Sequence, residues 1–165
     1  MAEFGVVVGA GTLRSAAAGA VSFPHRWTAE GVTVDAAFTG AHLLHLAVAG
    51  CVLNDVYREA LELGIEIGGV RVSATGDFEA GTWSSTGIGY EVEVDTTAVA
   101  VELDALLKRV DDVAEIPKSI RAGASVARRR SRRSIPPSAG SERGWPATTV
   151  RPRPDRNGRG TDEMS

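Results

Sequence analysis

The chain has one cysteine, Cys51, and three histidines, His25, His42 and His45, among 165 residues. A single thiol excludes an intrachain disulfide. His42 and His45 stand three apart on one predicted helix, and two ligands do not make a zinc site, so no metal and no other cofactor is expected. Aromatic residues make up 5% of the chain, and the longest apolar run, Leu43 to Leu53, is interrupted by His45. It falls well short of the roughly 20 residues that cross a bilayer, so no membrane span is expected. The N-terminus, MAEFGVVVGAG, has no basic region ahead of an apolar segment and no secretory cleavage pattern, which points to a cytoplasmic protein. VVGAG (Val7 to Gly11) is not followed by G-x-G-x-x-G or G-K-[ST] spacing and is not read as a phosphate loop.

What the chain does have is enough apolar content, 43%, for one domain with a hydrophobic core. Its charge is divided. Residues up to Val126 carry 8 basic and 17 acidic side chains, net −9, and the remainder carries 10 basic and 4 acidic, net +6. Two kinds of chain are therefore joined near Ala127: a folded domain, 1–127, and an Arg/Pro/Gly-rich tail, 128–165. The tail lacks periodic apolar residues and is expected to be disordered. Its RRRSRR run is of the type that contacts polyanions. The composition as a whole reads instead as an incidental extension, of the kind produced when a GC-rich gene is translated out of frame, and nucleic acid is not expected as a partner.

The domain reads as α+β. Glu3 to Gly11, Ala20 to Trp27 and Gly31 to Ala37 have strand character and are expected to form a meander. Thr39 is a candidate N-cap for a helix over Ala41 to Leu63, with Gly64 as its stop. Two more strands, Glu66 to Phe78 and Thr86 to Val94, form a second hairpin. Val99 to Val113 returns to helical spacing, Ile120 to Gly123 is a short turn after Pro117, and Ala124 to Ala127 starts a last strand.

On the long helix Leu44, Val48, Cys51, Asp55 and Arg58 fall near one stripe, while Glu59 and Glu62 are expected on the solvent side. The first half is apolar all round, which predicts burial on every side and, beyond what one small sheet can cover, a homodimer. Gly50 suggests close approach by another backbone or a ligand. Cys51 is a small core filler or a reagent. A reagent needs a nearby cation that favours the thiolate. Arg58, Arg26 and Arg14 are the arginines plausible on position, and Arg58 is expected to pair with Asp55 or Glu62.

The segment FTGAHLLHLAVAGCVLNDVYREALELGIEIGGVRVSATGDF and the later GIGYEVEVDTTAVAVELDALLKRVDDVAEIPKSI resemble the helix, strands and second helix of the OsmC/Ohr superfamily. The A-G-C helix followed by a G-I-x-I-x-x-V-x-V strand carries the likeness, which covers about Phe4 to Val126. The resemblance implies two small antiparallel sheets around a long central helix and an intertwined homodimer with active sites at the subunit interface. It also implies, in active members, a thiol peroxidase that reduces organic hydroperoxides. Cys51 matches the peroxidatic cysteine. The resolving cysteine matches Ile116, and the accessory acid falls at Ala41 or His42, so both are absent. The resemblance leaves Arg26 or Arg14 as the thiolate's cation and His42 as a polar partner in place of the acid. With one thiol, any sulfenic acid at Cys51 needs an external thiol reductant. The alternative is a homodimer without catalysis that binds an apolar small molecule in its interface cleft.

Overall fold

The computed structural model describes residues 4–123 and 126–127. Its elements follow in the order β1 (Val6–Gly11), β2 (Val21–Phe23), β3 (Val32–Asp35), α1 (Gly40–Leu63), β4 (Gly69–Phe78), β5 (Ser85–Asp95), α2 (Ala100–Val113) and α3 (Glu115–Arg121). The strands make one antiparallel sheet in the order β2-β3-β1-β4-β5. This corrects the expectation of two small sheets and of a simple meander. β1 does not pair with β2 but lies mid-sheet between β3 and β4. Its inward residues Val6, Val8 and Ala10 stand opposite Ala74, Val72 and Val70 of β4, all nearly inaccessible, and these apolar cross-strand pairs favour β4 as the neighbour of β1.

α1 lies across this apolar face. Ala49, Val52, Leu53, Val56, Tyr57 and Ala60 join the strand residues in one core, which Leu106 and Val110 of α2 complete. Thr39 caps the helix by accepting from the His42 N–H, and Gly64 ends it in a left-handed conformation (φ 68°) with its N–H on the carbonyls of Ala60 and Leu61. His45, the polar interruption of the apolar run, is fully buried, and its ring Nδ1 lies 2.6 Å from the Phe4 carbonyl.

Burial of α1 is one-sided within the single chain. Leu43 is 39% exposed and Ala47 is also exposed, so the expected all-round burial is not met among the described residues. Among the described residues nothing beyond the helix's own backbone and the chain neighbours comes within 4 Å of where a Cβ at Gly50 would lie, which leaves that glycine facing open space. Glu62 is exposed as expected, but Glu59 is 5% exposed, because α2 packs over that face of α1 and brings Arg109 to it.

α3 also departs from the expected short turn. It begins at Glu115, and Pro117 falls in its first turn, where a missing N–H leaves no helical bond unmade. Of the last strand expected over Ala124 to Ala127, residues 124–125 lie outside the described residues, and Val126 and Ala127 are not in a strand. The tail expected to be disordered, 128–165, also lies outside them. Among the described residues no helix is long and apolar enough to cross a membrane.

Candidate functional site

Cys51 is partly buried on α1 and lines a cleft of about 520 Å³, whose walls include Trp27 from the loop before β3, Ala47, Asn54 and Arg58 from α1, and Glu115 and Ile116 from the start of α3. The helical repeat sets Asp55 one turn beyond the cysteine and Arg58 nearly one turn further.

Two carboxylates each bridge the same two groups. Asp55 accepts from the Cys51 thiol through Oδ2 at 3.7 Å and holds Arg58 Nη1 through Oδ1 at 2.8 Å. Glu115 accepts from the thiol through Oε2 at 3.5 Å and faces the same Nη1 through Oε1 at 3.8 Å. Thiol, guanidinium and two carboxylates thus form a closed ring, in which one S–H is shared between two acceptors. Asp55 is buried at 2% exposure, whereas the Glu115 side chain is 67% exposed.

This setting works against ionisation of the thiol. Burial is the main influence raising the Cys51 pKa above its ordinary value; the Ile116 backbone N–H lowers it, and the charges of Asp55 and Glu115 raise it further. Asp55 is also raised, first by burial, against the pull of Arg58. Glu115 is lowered by its own backbone N–H and by the thiol's hydrogen bond. Arg58 is committed elsewhere too, since its Nε donates to Glu59 at 3.0 Å. Arg109 donates to Glu59 from the other side, and these bonds hold the Glu59 carboxyl below the ordinary range.

Cys51, Asp55 and Glu115 present ligand atoms within 4.8 Å of one another, the one such group of three among the described residues. Both carboxylates spend their second oxygen on Arg58, so the cluster is organised around a guanidinium.

The other residues singled out from the sequence lie apart from this ring. Arg26 sits over the Trp27 ring, 5.8 Å from its centroid, and lines an adjoining cleft of about 240 Å³ with Gly50 and Asn54. Arg14 reaches Ser22 Oγ at 3.5 Å, and its Nε is buried with no partner among the described residues. His42 contacts Thr39 Oγ1 at 2.7 Å and the edge of the Phe4 ring, nine residues and therefore about 13 Å along the helix from Cys51. Ile116, the position matched to the absent resolving cysteine, does stand beside the thiol. Asp55 and Arg58 shared the predicted stripe with Cys51 but were not assigned to a site. Glu115 carried no signal except its place next to Ile116.

No curated protein matches this chain. Among solved structures it is similar to an OsmC-like protein from Mycoplasma pneumoniae, at 16% identity over 54% of this chain and 66% of that one, with a TM-score of 0.49. It is also similar to an OsmC-like hydroperoxide resistance protein from Jannaschia sp. CCS1, at 11% identity over 82% of this chain and 97% of that one, with a TM-score of 0.42. The chain thus spans just under two thirds of the Mycoplasma protein's length. The family model for OsmC-like proteins matches residues 33–128, more than half of the sequence and all of the ring around Cys51. The chain belongs to the OsmC-like protein family.

Proposed function

We propose that this protein is a one-cysteine, thiol-dependent hydroperoxide reductase acting as a homodimer. The observation that carries the reading is the Cys51 sulfur itself, which lines an accessible cleft and donates its hydrogen to two carboxylates in a chain of the OsmC-like family. In the proposed reaction the sulfur attacks the terminal oxygen of an organic hydroperoxide. The S–O bond forms as the O–O bond breaks, giving a sulfenic acid on Cys51 and an alcohol. Two equivalents of an external thiol then restore the Cys51 thiol, releasing water and a disulfide. Ile116 stands where a second thiol would be needed for an internal cycle, so the reductant comes from outside the chain.

The test is to expose the protein to cumene hydroperoxide, trap any sulfenic acid with dimedone and locate the adduct by mass spectrometry. One adduct per chain at Cys51, with turnover sustained by a small monothiol and both lost in Cys51→Ser, is expected. Peroxide consumption that is equal in Cys51→Ser would overturn the reading.

A second reading is favoured by the surroundings of the thiol: neither Arg14 nor Arg26 lines its cleft, and burial raises the Cys51 pKa. On that reading the protein binds an apolar small molecule without chemistry. A fluorescent apolar probe would then bind Cys51→Ser and wild type alike, while no dimedone adduct formed in either.

A further inference from the structure

We propose that Asp55 is the proton carrier of the peroxide step, taking the proton from the Cys51 thiol and delivering it to the alkoxide oxygen that leaves, with Arg58 as its positioning residue. This rests on the hydroperoxide reductase reading. It follows from the charge balance of the ring. With the thiol protonated, Asp55 and Glu115 ionised and Arg58 cationic, the ring carries a net charge of −1. Losing the thiol proton to solvent would leave three anions facing one guanidinium, net −2, in a partly desolvated cleft, where like charges are poorly screened. Moving the same proton onto Asp55 leaves the total at −1. The proton therefore has a place to go that costs no additional charge.

Asp55 suits this role better than Glu115. Its carboxyl is sealed at 2% exposure and fixed by the 2.8 Å bond to Arg58, so a proton placed on it stays in the cleft for the leaving oxygen. Glu115 lies open to water and exchanges its proton with solvent. Burial also holds Asp55 above the ordinary carboxyl range, closer to the pH at which an acid both accepts and donates. Around the ring, Glu59, itself held by Arg109, accepts from Arg58 Nε, and His25 meets Asn54 at 3.2 Å on the cleft wall. The step balances: the Cys51 S–H and the O–O bond break, the S–O bond forms, and the thiol proton ends on the alcohol by way of Asp55.

The experiment compares two reactions of Cys51 at neutral pH, alkylation by iodoacetamide and oxidation by cumene hydroperoxide, in wild type, Asp55→Asn, Glu115→Gln, Arg58→Ala and Arg58→Lys. Iodide leaves without a proton, so Asp55→Asn, which removes an anion beside the sulfur, quickens alkylation several-fold. An alkoxide needs the proton, so the same variant slows oxidation by about a hundredfold. Arg58→Ala slows oxidation, and Arg58→Lys restores part of the loss. Glu115→Gln, which also removes an anion beside the sulfur but leaves the buried Asp55 carboxyl in place, slows oxidation much less than Asp55→Asn does.

Asp55→Asn that speeds both reactions would reduce Asp55 to a repelling charge, and one that slows both equally would reduce it to a structural group. Either overturns the proposal. In wild type alone, the oxidation carries a larger solvent deuterium isotope effect than the alkylation, and equal effects would also overturn it, whether or not the variants fold. Wild type that forms no sulfenic acid with any hydroperoxide sinks the parent reading. Wild type that forms it while Asp55→Asn forms it as fast sinks this one alone.

Discussion

Arg109 on α2 donates to Glu59 on α1, which Arg58 also holds from its own helix, so a buried carboxylate joins the two helices and anchors the arginine of the thiol ring. Glu59→Gln keeps the size of the side chain and removes the charge that both guanidinium groups address. Because the arginines are 40% and 48% exposed, water takes over much of the lost interaction, and the expected destabilisation is about 1 kcal/mol. Its pH dependence fixes the cause. A carboxyl held below its unfolded value stabilises the fold above the unfolded pKa of about 4.3 and loses that contribution as pH falls through the folded pKa. Urea melts should therefore show the wild-type advantage at pH 7 and its disappearance in acid. An advantage that persists unchanged into acid would exclude the charge as its source.

Much of the fold was legible because it is local. The alternation of Val6, Val8 and Ala10, the matching alternation along β4 and β5, and Gly64 as a helix stop each depend on residues a few positions apart. The strand order was not legible. Pairing of β1 with β3 and β4 instead of β2 is decided by which apolar faces meet across long separations, and no short-range pattern encodes that. The same division runs through the site. Asp55 and Arg58 follow Cys51 at helical spacing, while Glu115 reaches the sulfur from 64 positions away through the docking of α3. Helical position puts Glu59 on the solvent side, and what that spacing does not show is Arg109, 50 positions away, which joins Arg58 in offsetting the cost of burying the charge.

Titration of Cys51 by its rate of alkylation should give a midpoint above the roughly 8.5 of a free cysteine. Burial and two neighbouring anions disfavour the thiolate, and the single Ile116 N–H does not offset them. At neutral pH the thiol should thus alkylate more slowly than a free cysteine. A midpoint below 8.5 would mean that a cation outside the ring reaches the sulfur, with Arg14 and Arg26 the first residues to mutate.

Ile116→Cys tests the place assigned to the absent second thiol. Ile116 and Cys51 line one cleft, and the Ile116 backbone N–H acts on the thiol to lower its pKa. Mild oxidation should therefore close a disulfide between Cys51 and the introduced thiol, seen as loss of two free thiols per chain. The bridged form should melt higher than the reduced form, by up to about 4 kcal/mol for a loop of this length, less any strain. Failure to close under oxidants that consume both thiols separately would show that α3 does not hold this position against α1.

The exposed stripe of α1 bears on assembly. Leu43 and Ala47 lie one turn apart on the uncovered side, and Ala47 is itself a wall of the Cys51 cleft. Phe38, just ahead of the helix, is 89% exposed. Apolar side chains in this arrangement gain by docking on a second copy, which would also narrow the mouth of the cleft. Sedimentation at micromolar concentration is therefore expected to give a dimer. Leu43→Asp should weaken it by about 2 kcal/mol or more, roughly thirtyfold in Kd, because burying the exposed remainder of Leu43 contributes about 1 kcal/mol and an unpaired carboxylate resists burial by at least as much. Since Leu43 is already 39% exposed in the single chain, that variant should keep the far-ultraviolet circular dichroism of the wild type. A wild-type chain that sediments as a monomer at tens of micromolar, or a Leu43→Asp chain that dimerises as tightly as wild type, would remove this stripe from the interface.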